Sequence, residues 1–415
     1  MGQGILTEIA AGVGTPVYVY DRAEIVERYE RLASCLHTLP HRIHFAVKAN
    51  GNLAVLALLK QLGAGADIVS AGELARVLQA GFEPADVVFS GAGKTIEELR
   101  TALRMRVGRI NAESAREIEY LAQLADSESR TQAVAIRVNP DVPTETHPYT
   151  RTGELGMKFG IPYAEVPHAA GAVAAAPALR LVGLAMHIGS QILEVAPFRE
   201  AASRLVRLAL RLRDEGHGDL QWLDVGGGIG IPYAGEAELD LSAYVRDVAT
   251  PVAAAGFSLA VEPGRYLVGS AGVLLTRVLY RKRSGSRSLA IVDAGMTELL
   301  RPSHYDAHHE VTVLAPDAGA REIEVVDVVG PACETGDFLA LDRSLPRIEE
   351  GDLLAIQTAG AYGFVMASNY NGRPRAAEVL RDGARWAVVR EREAVSALAA
   401  GEVADPMSWT EAATG

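Results

Sequence analysis

The first residue of chemical interest is a lysine at the end of a run that otherwise favours a buried strand. Residues 43–50 read IHFAVKAN, with Lys48 directly after an apolar stretch. A strand that is buried on both faces is nearly continuous in apolar residues, and an unpaired ammonium in such surroundings costs several kcal/mol. Lys48 therefore either marks the exit of the strand, with its charge in water, or takes part in chemistry.

Polar and glycine-rich patches end several other apolar runs. A histidine and a serine follow LVGLAM, three glycines follow WLDV, and EPGR contains a glutamate and an arginine. A glycine-rich turn allows backbone N–H groups to approach phosphate oxygens closely. The candidate residues at these run ends are Lys48, His187, Ser190, Gly226 to Gly228, Glu262 and Arg265.

Eight apolar runs of this kind recur between residues 40 and 265, and most are followed by an amphipathic or alanine-rich stretch. Segments such as LAVLALLKQLG and GELARVLQAGF have helical spacing, and a glycine closes each as a helix C-terminal cap would. Eight strands that alternate with helices over about 225 residues are typical of a (β/α)8 barrel. The runs read RIHFAVKAN, ADIVSAGE, DVVFSGAGK, RINAES, AVAIRVNP, LVGLAMHIGS, WLDVGGGIG and LAVEPGR.

The pattern changes after Arg265. Turns, not long helices, separate the strand-like runs SLAIVDAG, HEVTVLA, EIEVVDVVG and DLLAIQTAG, which favours a mostly antiparallel β domain. PVYVYD, near the start of the chain, is a candidate strand of that domain. We therefore predict the α/β class, with a (β/α)8 barrel over residues 28–265 and a β-sandwich-like or barrel-like domain formed by residues 1–27 and 266–415.

A (β/α)8 barrel places catalytic groups at the carboxyl ends of its strands, and the loops after its seventh and eighth strands commonly bind phosphate. Here those loops carry GGGIG and EPGR, while Lys48 ends the first strand. A lysine and a phosphate site in one barrel mouth indicate pyridoxal 5'-phosphate, which a lysine binds as a Schiff base.

Composition narrows the function classes. The 415-residue chain is 49% hydrophobic with a net charge of -12, and no basic stretch is able to neutralise nucleic-acid phosphates. Cys35 and Cys333 form no disulfide framework and suit a reducing compartment, and no apolar run is long enough to span a bilayer. We expect a cytoplasmic protein that acts on a small molecule, without nucleic acid, membrane or metal. HYDAHH lacks the further ligands of a zinc site, and SGAGKT lacks the first glycine of a P-loop.

Together these motifs resemble the fold-type III pyridoxal-phosphate decarboxylases. The resemblance runs from GTPVYVYD near residue 14 to NYNGRPRAAEVL near residue 380, so it covers nearly the whole chain. Each motif is weak alone, and the combination is specific. The motifs are FAVKAN, HIGSQI, LDVGGGIGIPY, EPGR, MTELLRPSHYDA, GPACETGD and AGAYGFVMASNYN.

The resemblance implies a role in cofactor chemistry for each matching residue. Lys48 would bind the aldehyde of the cofactor and His187 would stack on its ring, so both are implied catalytic residues. Glu262 would keep the pyridine nitrogen protonated, which makes the ring an electron sink. The remaining implied cofactor contacts are Ser190, Gly227, Gly228, Gly264, Arg265 and Tyr362.

A third implied catalytic residue is Cys333, in GPACETGD. It matches the position of the family's proton donor to the α-carbon, a role that suits a thiol because its pKa lies near 8. The resemblance also implies that this motif enters the active site of a neighbouring subunit. We therefore expect a homodimer with shared active sites.

The distal end of the implied site indicates a substrate with a second amino-acid centre. Arg265 and Arg301 would bind a second carboxylate, and Glu334 would pair with a second ammonium. Tyr305 and Tyr362 complete the implied substrate contacts. The resemblance therefore implies that the substrate is meso-2,6-diaminopimelate, decarboxylated at its D-centre to L-lysine and CO2, which is the last step of lysine biosynthesis.

Two other functions remain open from the sequence alone. Ser303 and His304 depart from the family's pattern, so a related decarboxylase of secondary metabolism that acts on another amino acid is one alternative. A non-catalytic relative that regulates partner proteins is the other, although it predicts loss of Lys48 or Cys333, and both are present.

Several structural expectations also remain open. Glu262 and Arg301 could be surface residues, and Cys333 could be a small buried hydrophobe. We predict an ion pair between Asp67 and Arg137, both at strand ends. The long polar loop at residues 140–160 is predicted to be a mobile lid.

Overall fold

The computed structural model describes residues 1–143, 153 and 156–404. The chain begins with helix α1 (Gln3–Val13), strand β1 (Val17–Asp21) and helix α2 (Arg22–Leu36). Asp21 ends the strand and caps the helix, because its carboxylate accepts the backbone N–H of Ala23. The predicted strand in PVYVYD is therefore confirmed, and its capped end leads directly into the barrel.

Eight parallel strands close into a barrel within the described residues, as predicted. With one further short strand, β7, the described sheet has nine strands: β2 (His41–Ala46), β3 (Gly65–Ile68), β4 (Val87–Phe89), β5 (Arg109–Ala112), β6 (Gln132–Asn139), β7 (Ile161–Pro162), β8 (Leu179–Ala185), β9 (Trp222–Asp224) and β10 (Ser258–Val261). The order around the ring is β5, β4, β3, β2, β10, β9, β8 and β6, and β6 pairs with β5 to close it. The short β7 pairs with β6 alone.

Helices with well-formed ends connect the barrel strands. Ser70 caps α4 by accepting the N–H of Glu73, and Thr95 forms a capping box with Glu98 at the start of α5. Gly63 and Gly81 follow the last turns of α3 and α4, as predicted. The helices are α3 (Leu53–Gln61), α4 (Ala71–Gln79), α5 (Ile96–Met105), α6 (Ala115–Ser127), α7 (Val166–Ala174), α8 (Val195–Asp214), α9 (Leu241–Tyr244), α10 (Thr250–Ala254) and α11 (Arg265–Val268).

Large apolar side chains fill the space between the strands and the helices. Phe45, Phe89 and Phe257 are completely or almost completely buried. Phe198 of α8 packs edge-to-face on Tyr244, with 5.4 Å between the ring centroids. Each such side chain contributes about 1.5–3 kcal/mol by its burial, so the core fixes the strand ends on which the functional groups lie.

The second sheet is mixed and mostly antiparallel, as predicted, and it includes β1. Its other elements are β11 (Gly272–Ser284), β12 (Arg287–Val292), β13 (Val311–Val313), β14 (Ile323–Val329), β15 (Phe338–Pro346), β16 (Leu353–Ile356), β17 (Ala377–Asp382) and β18 (Arg385–Arg390), with helix α12 (Arg301–Tyr305) after β12. The main order is β15, β14, β12, β11, β1, β17 and β18, while β16 joins β11 to β13. The β1–β17 and β12–β14 pairs are parallel.

Short helical turns complete the described structure. The 3-10 turns are Val47–Ala49, Pro84–Asp86, Tyr163–Glu165, Ala318–Ala320, Phe364–Met366, Tyr370–Gly372 and Val395–Ala397, and Val245–Ala249 is a π-helical turn. Residues 144–152 and 154–155, which make up most of the predicted lid, lie outside the described residues. None of the described helices has the length and apolar character needed to cross a bilayer. The domain boundary at residue 265 stays a prediction.

Candidate active site

A cavity of about 880 Å³ opens at the carboxyl ends of the barrel strands. Lys48 follows β2, His187 follows β8 and Glu262 follows β10, each within two residues of the strand end. The structure thus brings most of the predicted site residues together. Those that line the cavity are Lys48, His187, Ser190, Glu262, Arg265, Arg301, Tyr305 and Tyr362.

Lys48 lies on the 3-10 turn directly after β2. Its Nζ is 3.4 Å from Oδ2 of Asp67, and its side chain is 37% exposed. Burial disfavours the ammonium, but Asp67 and then Tyr362 outweigh burial and raise the pKa of Lys48. The Tyr362 N–H also donates to the carbonyl of Ala49 at 2.8 Å and holds the turn. The turn therefore presents a charged amino group to the cavity.

Glu262 is a buried carboxyl group, 7% exposed. Its Oε1 has no hydrogen-bond partner among the residues that the structure describes. Burial, followed by the charges of Asp224 and Asp67, raises the pKa of Glu262 well above its usual range. The buried surroundings therefore favour the protonated form of Glu262, and one of its oxygens is available to a ligand.

His187 is a neutral imidazole in the cavity wall. Burial, followed by the charge of Lys48, lowers the pKa of His187. The backbone N–H of Gly227 donates to its Nδ1 at 3.2 Å, so the ring proton lies on Nε2. This contact ties the ring to the glycine-rich turn.

The turn Gly226 to Gly228 is anchored from within the barrel by Asp224. Oδ1 of Asp224 accepts the N–H of the first glycine at 3.0 Å, and its Oδ2 pairs with Arg109. A Cβ on the second glycine would lie 2.2 Å from the carbonyl oxygen of Glu262, and the third glycine has a φ of +96°. Only glycine satisfies both positions, so this turn packs directly against the end of the neighbouring strand.

Gly227, Gly228 and Gly264 shape the site through the backbone and do not belong to the lining of the described cavity. A Cβ on Gly264 would lie 2.9 Å from the Cβ of Ala49. Its close approach to the turn that carries Lys48 therefore depends on the missing side chain.

Arg265 and Arg301 are two buried cations in the same cavity, 8% and 6% exposed. Arg265 donates to Oγ of Ser190 at 3.0 Å and to the Tyr233 hydroxyl at 2.8 Å. Arg301 lies over the Tyr233 ring, 4.5 Å from its centroid. Among the described residues, neither guanidinium has a carboxylate within 4.0 Å. A buried charge without a counter-ion is costly, so this part of the cavity is suited to an anionic ligand.

The polar residues of the cavity lining that the sequence analysis did not name include Gln191, Tyr233 and Glu236. Oε2 of Glu236 accepts the N–H groups of Ala234 and Tyr233, at 2.6 and 2.8 Å, and the bond from Ala234 is the main cause that lowers its pKa. For Tyr233 and Glu236 the available signal was the polar segment IPYAGE, which directly follows the predicted phosphate loop.

The predicted ion pair between Asp67 and Arg137 is wrong. Nη1 of Arg137 lies 2.6 Å from Oε1 of Glu113, and Asp67 pairs with Lys48. The reason is strand order. β6, which carries Arg137, pairs with β5, whose end carries Glu113, whereas β3 lies two strands further round the barrel.

The two residues that depart from the family's pattern do not belong to the lining of the described cavity. His304 packs on the Tyr305 ring, with 4.6 Å between centroids, and Ser303 lies beside the GPACETGD loop. Asp306, Ala307 and His308 line the cavity instead. The burial of Glu262 and Arg301 also excludes the surface roles left open for them.

Cys333 and Glu334 are exposed and lie outside the lining of the described cavity, so the buried role left open for Cys333 is wrong. The carboxylate of Asp337 accepts the Ala332 N–H at 2.5 Å, and Oδ1 of Asn371 accepts the Cys333 N–H at 3.0 Å. The loop is therefore held in place while both side chains face outward.

A lysine at the first strand end, a buried carboxyl group with one oxygen unpartnered among the described residues, and a glycine-rich turn in one barrel mouth define a class of pyridoxal-binding proteins. Residues 22–269 match the family model described as "Pyridoxal-dependent decarboxylase, pyridoxal binding domain". The chain belongs to this family.

Several relatives of the chain are diaminopimelate decarboxylases. The chain is 49% identical, over 96% of its own length and 95% of the relative's, to the diaminopimelate decarboxylase of Pseudomonas aeruginosa. It is 45% identical to that of Neisseria meningitidis, over 95% of this chain and 97% of the other. The crystal structure of diaminopimelate decarboxylase from Helicobacter pylori complexed with L-lysine superposes with a TM-score of 0.91 at 38% identity, covering 95% of this chain and 98% of that one.

Proposed function

We propose that the chain is a carbon–carbon lyase that decarboxylates meso-2,6-diaminopimelate to L-lysine and CO2, the last step of lysine biosynthesis. The observation that carries this proposal is the pair of buried arginines, Arg265 and Arg301, which share a cavity with Lys48 and have no carboxylate partner among the described residues. A substrate with a second carboxylate supplies the missing anion. The names of the relatives support the same substrate.

The residues of the cavity fit pyridoxal 5'-phosphate as the cofactor. Lys48 offers the amino group that would hold its aldehyde carbon, and the unpartnered oxygen of Glu262 would meet its ring nitrogen. His187 would cover one face of the ring. The phosphate would lie near Ser190 and the turn Gly226 to Gly228, with Gly264, Arg265 and Tyr362 beside it.

Bound pyridoxal phosphate supplies an electron sink for the electron pair left when CO2 departs. The chain contributes the conditions for that step. Burial raises the pKa of Glu262 and favours its protonated form, so Glu262 would share a proton with the ring nitrogen. His187 stays neutral beside Lys48 because its pKa is lowered, so the wall adds no further positive charge there.

The distal amino-acid centre determines substrate choice in this proposal. Arg301 binds the distal carboxylate with its planar guanidinium, and Arg265 adds a second positive charge nearby. Tyr305 and Tyr362 line the same space. Ornithine has no distal carboxylate, so it leaves both guanidinium groups without a counter-ion and binds less well.

We further propose a homodimer in which Cys333 and Glu334 enter the cavity of the partner subunit. Both are exposed on a loop that is held by Asp337 and Asn371. There the Cys333 thiol would give its proton to the α-carbon after CO2 loss, and Glu334 would pair with the distal ammonium. Mixed dimers of Lys48→Ala and Cys333→Ala chains test this, because one of their two sites contains both intact residues. Activity that stays absent on mixing would contradict the shared site.

We also infer a cytoplasmic location. Cys35 and Cys333 are both free thiols, and reducing compartments maintain that state.

The decisive test is CO2 and L-lysine release by the cofactor-loaded enzyme on meso-diaminopimelate, with ornithine as the competing substrate. We expect turnover on the meso compound, none in a Lys48→Ala control, and a much lower kcat/KM on ornithine. Faster turnover on ornithine would assign the chain to another amino acid. Absence of turnover on both substrates by a cofactor-loaded protein would refute the proposal.

A further inference from the structure

His309 is a fully buried histidine in the HYDAHH segment, and both of its ring nitrogens have partners. Nδ1 lies 2.8 Å from the backbone carbonyl oxygen of Gln357, and Nε2 lies 2.7 Å from Nη1 of Arg301. A carbonyl only accepts hydrogen bonds and a guanidinium only donates them. The neutral imidazole with its proton on Nδ1 is therefore the form that satisfies both partners.

The surroundings keep this ring neutral. Burial, followed by the charge of Arg301, lowers the pKa of His309 to about 3. The ring is also in edge-to-face contact with Tyr233, with 5.4 Å between centroids. His309 therefore offers Arg301 a fixed, uncharged hydrogen-bond acceptor throughout the working pH range.

The second sheet holds His309 in this position. Two residues later β13 begins, and Val311 pairs with Ile356 of β16, next to the carbonyl that binds Nδ1. The N–H of Gln357 also donates to the carbonyl of Glu310 at 2.8 Å. The acceptor for Arg301 is thus attached to rigid strands on both sides.

An uncharged acceptor orients Arg301 without neutralising its positive charge. A carboxylate in the place of His309 would orient Arg301 and also neutralise it. The imidazole orients the guanidinium and leaves its positive charge to the cavity, where Arg301 has no carboxylate within 4.0 Å among the described residues. The cation is thereby directed at an anion that comes from outside the chain.

We propose that His309 is a positioning residue that fixes Arg301 and preserves its charge, and so sets the preference for ligands with a distal carboxylate. This inference rests on the proposed function, since Arg301 is the distal-carboxylate group in that proposal. His309 itself need not touch the substrate.

The test compares two ligands that differ by one carboxylate, L-lysine and cadaverine. Dissociation constants are measured by calorimetry on the cofactor-loaded wild type and on His309→Leu and His309→Gln variants. His309→Leu removes the acceptor, so we expect L-lysine to bind at least about 10-fold more weakly while cadaverine changes less than about twofold. The amide of glutamine both accepts and donates, and we expect it to recover most of the lost affinity.

His168→Leu is the matched control, because His168 is exposed on α7 and lies outside the cavity lining. If His309→Leu does not fold, His309→Asn replaces it, since the shorter amide cannot reach both partners and the same selective loss is expected. Equal losses for both ligands, or an unchanged affinity for L-lysine, would overturn the proposal. Failure of the wild type to decarboxylate meso-diaminopimelate would refute the proposed function, while the ratio of the two affinities would still test His309.

Discussion

The ion pair between Arg109 and Asp224 provides a quantitative test of how the barrel supports its glycine-rich turn. Both side chains are almost completely buried, 8% and 0% exposed. Asp224 also accepts the N–H of Gly226, and Arg109 donates through its Nε to Asn111. Replacing Arg109 by methionine keeps the length of the side chain and leaves the Asp224 carboxylate buried without a cation.

The expected loss of folding stability is large because the Asp224 carboxylate stays buried without its cation. Breaking a buried ion pair from one side costs about 3–5 kcal/mol. At about 2.1 cal/mol/K of unfolding entropy per residue, a chain of 415 residues should melt roughly 3–6 °C lower. Adding Asp224→Asn removes the uncompensated charge while keeping an oxygen for the Gly226 N–H, so the double variant should recover most of the loss.

Differential scanning calorimetry measures both effects. Arg104→Met is the matched control, because Arg104 is 62% exposed and its ion pair with Glu128 lies at the surface, where such pairs contribute about 0–1 kcal/mol. The reasoning is refuted if Arg109→Met lowers the melting temperature no more than Arg104→Met does. It is also refuted if adding Asp224→Asn destabilises the protein further.

Three further predictions concern the cavity and its surroundings. Burial raises the pKa of Glu73 from 4.5 to about 7, so the folded chain holds a proton that the unfolded chain has lost between these pH values. Stability therefore falls as pH rises through this window, and Glu73→Gln should flatten that slope in urea titrations at pH 5 and pH 8; an unchanged slope would contradict the assignment. Lys48→Ala should fail to retain pyridoxal phosphate through gel filtration, unlike the wild type, and retention would argue against Lys48 as its anchor. Tyr233→Phe removes the hydroxyl that accepts from Arg265 but keeps the ring under Arg301, so KM for diaminopimelate should rise several-fold with little change in kcat; a fall in kcat alone would contradict this role.

The parts of the fold that local signals determine were predictable from the sequence. The barrel strands are short apolar runs that end in polar residues, and the glycines after α3 and α4 mark where those helices end. The candidate site followed from the same signals. Lys48, His187 and Glu262 lie directly past strand ends, and the barrel brings all such ends to one face.

The contacts that we did not predict from the sequence join residues far apart in the chain. The ion-pair partner of Arg137 depends on the order of strands around the barrel, which places Glu113 on the neighbouring strand and Asp67 three strands away. Lys94, part of a rejected P-loop motif, proves to be a buried cation 2.7 Å from Glu117. Composition and spacing do not encode such pairings.

The most direct test of the central claim follows both carboxyl groups of meso-diaminopimelate at once. Substrate labelled with carbon-13 in both carboxyl groups is given to the cofactor-loaded enzyme, and labelled CO2 and lysine are quantified together with the configuration of the lysine. The account predicts one labelled CO2 for each molecule of L-lysine, which keeps the second label because Arg301 and Arg265 bind that carboxylate and hold it away from Lys48. Release of both labels, formation of D-lysine, or no labelled CO2 at all would contradict it.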